Sequence, residues 1–237
     1  MRLNNYISAT GICSRREADE FIRQKRVTLN GMVAELGMQV EENDKVCLDG
    51  KLLKQKSEFV TIAYNKPTGI TCTSEPDVEG NIIKAIGYPE RIFPIGRLDK
   101  DSEGLILLTN DGSIVNRILR AENNHDKEYM VNVSKPLDKA FKANMEKGIK
   151  IYNPVKDEMT ITLPCKIKIL TPTIFNITLN QGLNRQIRRM CSALDYQVVG
   201  LKRIRIMNIN LGSLPKGKWR KLTEVELTEM LGMLEKE

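Results

Sequence analysis

Apolar and polar positions follow two different periods along the 237 residues of the chain. Near the start, Ala18, Phe21 and Ile22 recur at the spacing of a helix face, which predicts a helix running through about Lys25. Ser14-Arg15-Arg16-Glu17 stands in front of it in capping-box form: Ser14 can cap the first turn while Glu17 reaches back. Two short strand-like runs follow, VTLNGMVA and KVCLDGKLL, each broken by a two-residue turn, Asn30-Gly31 and Asp49-Gly50. Such turns need positive φ at both positions, which Asn, Asp and Gly tolerate, so each run predicts a β-hairpin. Residues 1–56 therefore predict a small module of two short helices followed by a hairpin-rich sheet.

The stretch KLLKQKSE, 51–58, is polar and predicts a linker. A second domain, 57–237, then opens with the strand FVTIAYN. Strand-like runs recur at 104–109, 129–133, 159–163, 165–170 and 174–180, and helix-like runs near 112–121, 137–147, 185–194 and 223–236. Most connections are too short for regular parallel crossovers. The expected class is α+β, with a mixed, mainly antiparallel sheet.

Composition narrows the chemistry. The hydrophobic fraction of 41% and charged fraction of 28% are those of an ordinary globular protein. No run approaches the roughly 20 apolar residues of a membrane span, and the opening residues lack the apolar core of a signal peptide. A cytoplasmic protein with no membrane partner is expected. The five cysteines are odd in number, widely spaced and free of C-x-x-C pairs, which predicts reduced thiols rather than disulfides or a metal site. The single histidine, His125, lies in the polar stretch NNHDKEY and is expected at the surface. One histidine rules out multi-histidine sites, and no glycine-rich phosphate loop points to a nucleotide cofactor. Chemistry must come from carboxylates, cations and tyrosines.

Charge locates a partner. Net charge is +7, and the stretch 182–206, with six basic residues and one acidic, accounts for the whole excess of the second domain. Arg185, Arg188 and Arg189 recur at spacings of three and four on a helix starting near Asn184, a face suited to phosphates. The first module carries only +2 and would have to bind through local placement. Upstream, GRLDKDSEGLILLTNDG sets Asp99 between Arg97 and Lys100, just ahead of the apolar run Leu105–Leu108.

GRLDKDSEGLILLTNDG, KEYMV and GLNRQIRRM occur in that order, and together they resemble the pseudouridine synthases of the RsuA/RluB/RluE/RluF group. RLNNYISATGICSRREADEFI and VTLNG resemble the S4 RNA-binding domain that precedes the catalytic domain in these enzymes. The likeness spans nearly the whole chain and is greatest to the RluF branch, which acts on 23S ribosomal RNA.

The resemblance implies that Asp99 is the catalytic residue. The reaction breaks the N1–C1′ bond of a uridine, rotates the base and rejoins it through C5, without metal, nucleotide or redox cofactor. Asp99 would act either by covalent addition or by taking a sugar proton. Desolvation alone would protonate such a carboxylate, so a nearby cation is needed; the resemblance assigns this to Arg188. Tyr129 matches the tyrosine that stacks on the target base. Lys66 and Pro67, in N-K-P-T-G, are expected to shape the pocket floor. Arg97, Leu98, Lys100, Arg185, Gln186, Ile187 and Arg189 are the expected RNA contacts of the second domain, with Arg97 also helping to displace the base. Arg2, Arg15, Arg16, Arg23 and Asn30 are those of the S4 module. Leu183 departs from many relatives, which carry Arg there, and removes one phosphate contact. A monomer acting on 23S rRNA is expected. The rivals are the same chemistry on 16S rRNA or a tRNA anticodon loop, and a non-catalytic S4-type ribosome assembly factor.

Overall fold

The computed structural model describes all residues except 55–57, 76, 120–124 and 236–237. The chain forms two units: Met1–Val60 with the short segments Pro89–Ile92 and Asn110–Gly112, and the remainder from Thr61 onward.

In the first unit, helices α1 (Leu3–Ala9) and α2 (Arg15–Arg23) precede strands β1 (Val27–Leu29), β2 (Met32–Val33), β3 (Val46–Leu48) and β4 (Lys51–Leu52). The capping box forms as expected: the Ser14 side chain accepts from Glu17 N, and Glu17 accepts from Ser14 N. Asn30, Gly31, Asp49 and Gly50 all have positive φ, and the strands order as β2-β1-β3-β4. Leu3, Ile7, Ala18, Ile22, Val27 and Val46 fill the core beneath them. Lys51 and Leu52 pair with β3, and Leu53 is buried in this core, so the first part of the expected linker belongs to the sheet. Residues 55–57 of that linker lie outside the described residues.

The second unit contains β5 (Thr61–Lys66), α3 (Ile82–Ile86), β6 (Phe93–Pro94), β7 (Glu103–Thr109), α4 (Gly112–Leu119) and β8 (Lys127–Val133). Next come α5 (Phe141–Glu146), β9 (Lys150–Asn153), β10 (Glu158–Ile161), β11 (Lys166–Thr171) and β12 (Ile174–Leu179). The chain closes with α6 (Gln186–Ser192), β13 (Val198–Ile206), β14 (Ile209–Asn210), β15 (Trp219–Lys221) and α7 (Glu224–Glu235). The expected ends of two helices, at 120–121 and 236, lie outside the described residues.

The main sheet runs β11-β12-β8-β13-β7-β5-β15. Its pairings are antiparallel except β13 with β7, which is parallel, giving the mixed α+β fold that the pattern predicted. One apolar cluster gathers Val131, Phe141, Phe175, Ile187 and Met190, and a second gathers Leu105, Leu107, Ile114, Ile209 and Met230. The central strand β13 had no sequence signal, because VVGLKRIRI breaks its apolar alternation with a glycine and three cations. His125 is buried, not surface-exposed, at 7% exposure. It lies two residues before the start of β8, and its carbonyl accepts from Lys127 Nζ at 3.2 Å. Among the described residues no helix is long and apolar enough to cross a membrane.

Candidate active site

The backbone around Asp99 is held at four successive residues. The Arg97 carbonyl accepts from Arg203 Nη1 (3.4 Å), and Leu98 N donates to Cys72 Sγ (3.4 Å). The Asp99 carbonyl accepts from Ser102 N (3.0 Å), and the Lys100 carbonyl from Gly69 N (2.7 Å). Fixing a loop this way before substrate arrives removes an ordering cost from the reaction. Gly69 ends the N-K-P-T-G stretch and has φ +87°, a conformation that favours glycine. Lys66, fully buried, donates to the carbonyls of Pro67 and Ile70, both at 2.9 Å, and so knits the turn that presents Gly69. Burial lowers the Lys66 pKa, while the charges of Cys72, Asp101 and Asp99 oppose the shift. Burial likewise pushes the Cys72 thiol up.

A cavity of about 420 Å³ opens over this loop. Gly69, Thr71, Cys72, Asp99, Asp101 and Arg185 line it, together with Arg97, Leu98 and Lys100. Its size lies in the roughly 300–1,000 Å³ range of small-molecule sites. The Asp99 side chain is one-third exposed here, and Arg97 and Lys100 are solvent-exposed.

The cation facing Asp99 is Arg185, at 3.9 Å, and not Arg188 as expected. Asp101 is the reason. It takes Arg185 in a two-pronged grip (2.9 and 2.8 Å), and Arg188 Nε lies 3.4 Å from its carboxylate. Arg188 is further held by the Asp101 carbonyl (3.1 Å), Ser102 Oγ (3.2 Å) and the Val198 carbonyl (3.3 Å), so it braces the loop from behind. Hydrogen bonding from Arg185, with the charge of Arg188 also contributing, lowers the Asp101 pKa. Arg185 holds φ +49° at the N-terminus of α6, a left-handed conformation uncommon outside glycine that aims its side chain at the loop.

Three expected RNA contacts are buried: Leu98, Gln186 and Ile187, at 7%, 5% and 5% exposure. Gln186 is occupied with Leu183 N and with Gln181 Oε1, and Ile187 packs in a core cluster. The motif string alternates between the outer and inner faces of α6, and these residues fall on the inner one. Arg189 reaches the Tyr152 carbonyl and Asn184 Oδ1. In the first unit Arg2, Arg15, Arg16 and Arg23 are exposed, and Arg23 pairs with Glu20. Asn30 uses its side chain on Asp44 and Lys45 N, which steadies its own hairpin. Tyr129 is half-buried on β8, packed against one core cluster and beneath the Arg203 guanidinium, 5.9 Å from ring centroid to Cζ. Neither Tyr129 nor Arg188 lines the cavity.

Sequence reasoning missed Asp101 as the hub of both arginines, Ser102, Gly69 and Arg203. Asp101 was visible two residues from Asp99; Ser102 and Gly69 had no signal beyond their place in a motif, and Arg203 none beyond its place in the basic stretch 182–206.

Residues 60–193 match the RNA pseudouridylate synthase family, and residues 1–46 match the S4 domain. The first match covers more than half of the chain, which belongs to the RNA pseudouridine synthases. The chain is 49% identical to the dual-specificity RNA pseudouridine synthase RluF of Escherichia coli (strain K12), over 99% of its own length and 80% of that protein's. It is 34% identical to the ribosomal large subunit pseudouridine synthase B of Bacillus subtilis (strain 168), over 97% and 95% of the two chains. A crystal structure of a pseudouridylate synthase superposes with a TM-score of 0.71 at 32% identity, covering 97% of this chain and 99% of that one.

Proposed function

We propose that this synthase isomerises a uridine of 23S ribosomal RNA, with Asp99 as its catalytic residue and no cofactor. The observation that carries the reading is the placement of Asp99: a carboxylate facing a cavity, on backbone pinned at four successive residues, with a guanidinium 3.9 Å away. A uridine must leave its stack before its glycosidic bond can be reached. The Tyr129 ring receives the displaced base, and exposed Arg97 and Lys100 hold phosphates on either side. Arg188 acts through Asp101 and Ser102 to keep the loop in place. Residues 1–56 capture RNA through Arg2, Arg15, Arg16 and Arg23, and residues 57–237 perform the chemistry, in a cytoplasmic monomer. Binding weakens as salt rises, because counterions are released from the phosphates.

The name of the B. subtilis relative, a ribosomal large subunit pseudouridine synthase, supports the 23S target, and the dual specificity in the E. coli enzyme's name favours a second RNA, for which a tRNA anticodon loop is the candidate. The test uses 23S, 16S and tRNA transcripts carrying tritium at uridine C5, which pseudouridine formation releases to water. Release from 23S RNA without added metal or nucleotide is expected. Release from 16S RNA alone, or from tRNA alone, overturns the assignment of substrate.

A further inference from the structure

Arg203 occupies a place that the catalytic motifs share but do not name. In the register of the central strand, Arg203 of β13 lies directly opposite Tyr129 of β8 on one side and Gly104 of β7 on the other. Strands in a sheet lie about 4.8 Å apart, so Arg203 is the single residue between the tyrosine and the strand that continues from the Asp99 loop. The residue is only 3% exposed.

The guanidinium touches both neighbours. Nε donates to the Leu105 carbonyl at 2.6 Å, Nη1 to the Arg97 carbonyl at 3.4 Å, and Cζ lies 5.9 Å from the centre of the Tyr129 ring. Nη2 is buried with no acceptor, and among the described residues no carboxylate pairs with this side chain. Guanidinium stays charged at any ordinary pH. Burying it against neutral carbonyls, beside a second buried cation on Lys66, costs stability that an apolar side chain would avoid. An apolar residue could not grip two carbonyls while lying over an aromatic ring.

We propose that Arg203 is a positioning residue of the reaction, a rigid fork that fixes the Asp99 loop relative to the Tyr129 ring. This rests on the reading of Asp99 as the catalytic residue and Tyr129 as its stacking partner. The fork sets the turnover step and leaves RNA affinity untouched, since Arg203 is buried and meets no phosphate.

The test compares wild type, Arg203→Lys, Arg203→Met and Asp99→Asn by tritium release from 23S transcript, by filter binding of the same RNA and by thermal unfolding. Arg203→Lys keeps the buried charge and loses the fork. Its kcat is expected to fall by about 10²-fold, the scale of a misplacement near 1 Å, while RNA affinity stays within about twofold and the fold persists. Arg203→Met is expected to lose at least as much turnover; if it fails to fold, the lysine variant decides. Wild-type kcat in Arg203→Lys overturns the proposal, as does a loss of RNA affinity that accounts for the lost activity. Full activity in Asp99→Asn overturns the underlying reading and this inference with it. An inactive Asp99→Asn beside a fully active Arg203→Lys overturns this inference alone.

Discussion

Gly104 offers the sharpest test of the geometry that joins the Asp99 loop to the sheet. A Cβ built there lies 2.3 Å from the Arg203 carbonyl oxygen and 2.7 Å from Arg203 N, both backbone atoms of the neighbouring strand. Ordinary contact begins at 3.4 Å, so a Gly104→Ala side chain forces β7 and β13 apart by about 1.1 Å. The two strands are joined in parallel only through Lys202↔Glu103 and Arg203↔Gly104, leaving little pairing to resist the shift. The φ of +105° adds backbone strain of about 1–3 kcal/mol, and overpacking adds about 1–3 kcal/mol. The sum, about 2–6 kcal/mol, is a large part of the roughly 5–15 kcal/mol that holds a domain folded. Trp219 is the only tryptophan and lies on β15 of the same sheet, so its fluorescence in urea reports this unit's unfolding. Gly104→Ala should lower the midpoint accordingly, and under folding conditions turnover should fall by about 10²-fold as the loop moves off its support. A variant within about 0.5 kcal/mol of wild type, with normal turnover, would refute the close approach of these strands.

Other perturbations separate electrostatics from packing. Asp101→Asn removes the anchor of Arg185 and Arg188; because Asp101 and Arg185 are nearly half exposed, loss of their ion pair should lower stability by no more than about 1 kcal/mol, while tritium release drops by at least tenfold. The stability difference should vanish as pH falls through the lowered Asp101 pKa, since the carboxylate contributes only when ionised. Burial lowers Lys127 to about 8, against about 10.4 in the unfolded chain. Between these values the unfolded state binds the additional proton, so wild-type stability should rise with pH relative to Lys127→Met; parallel urea curves at pH 7.5, 9 and 10 would contradict this. Ser14→Ala breaks the capping box of α2, and hydrogen exchange should show its first-turn amides opening about 1 kcal/mol more easily.

The elements legible in the sequence were those whose local chemistry agrees with their tertiary setting. The capping box at Ser14, the Asn30-Gly31 and Asp49-Gly50 turns and the apolar run of β7 needed no distant partner to be read. Strand β13 was missed because its central position buries a cation, a choice no local pattern reveals. The site was legible at the level of motifs and not of contacts. Asp99 and Arg188 could be picked out along the chain, yet Asp101, two residues from Asp99, intercepts Arg188 and leaves Arg185 facing the carboxylate. Gln186 and Ile187 shared a motif with arginines that reach outward, Arg185 being exposed, but a helix turns successive residues to different faces, and these two face inward.

The central claim is that the carboxylate of Asp99 performs the isomerisation. Single-turnover tritium release from C5-labelled RNA, comparing wild type with Asp99→Asn at matched RNA occupancy, tests it directly. The amide keeps the size of the side chain and removes its charge, so RNA binding should persist while release falls to background. Release from Asp99→Asn at the wild-type rate would contradict the account and move the chemistry to another residue of the cavity.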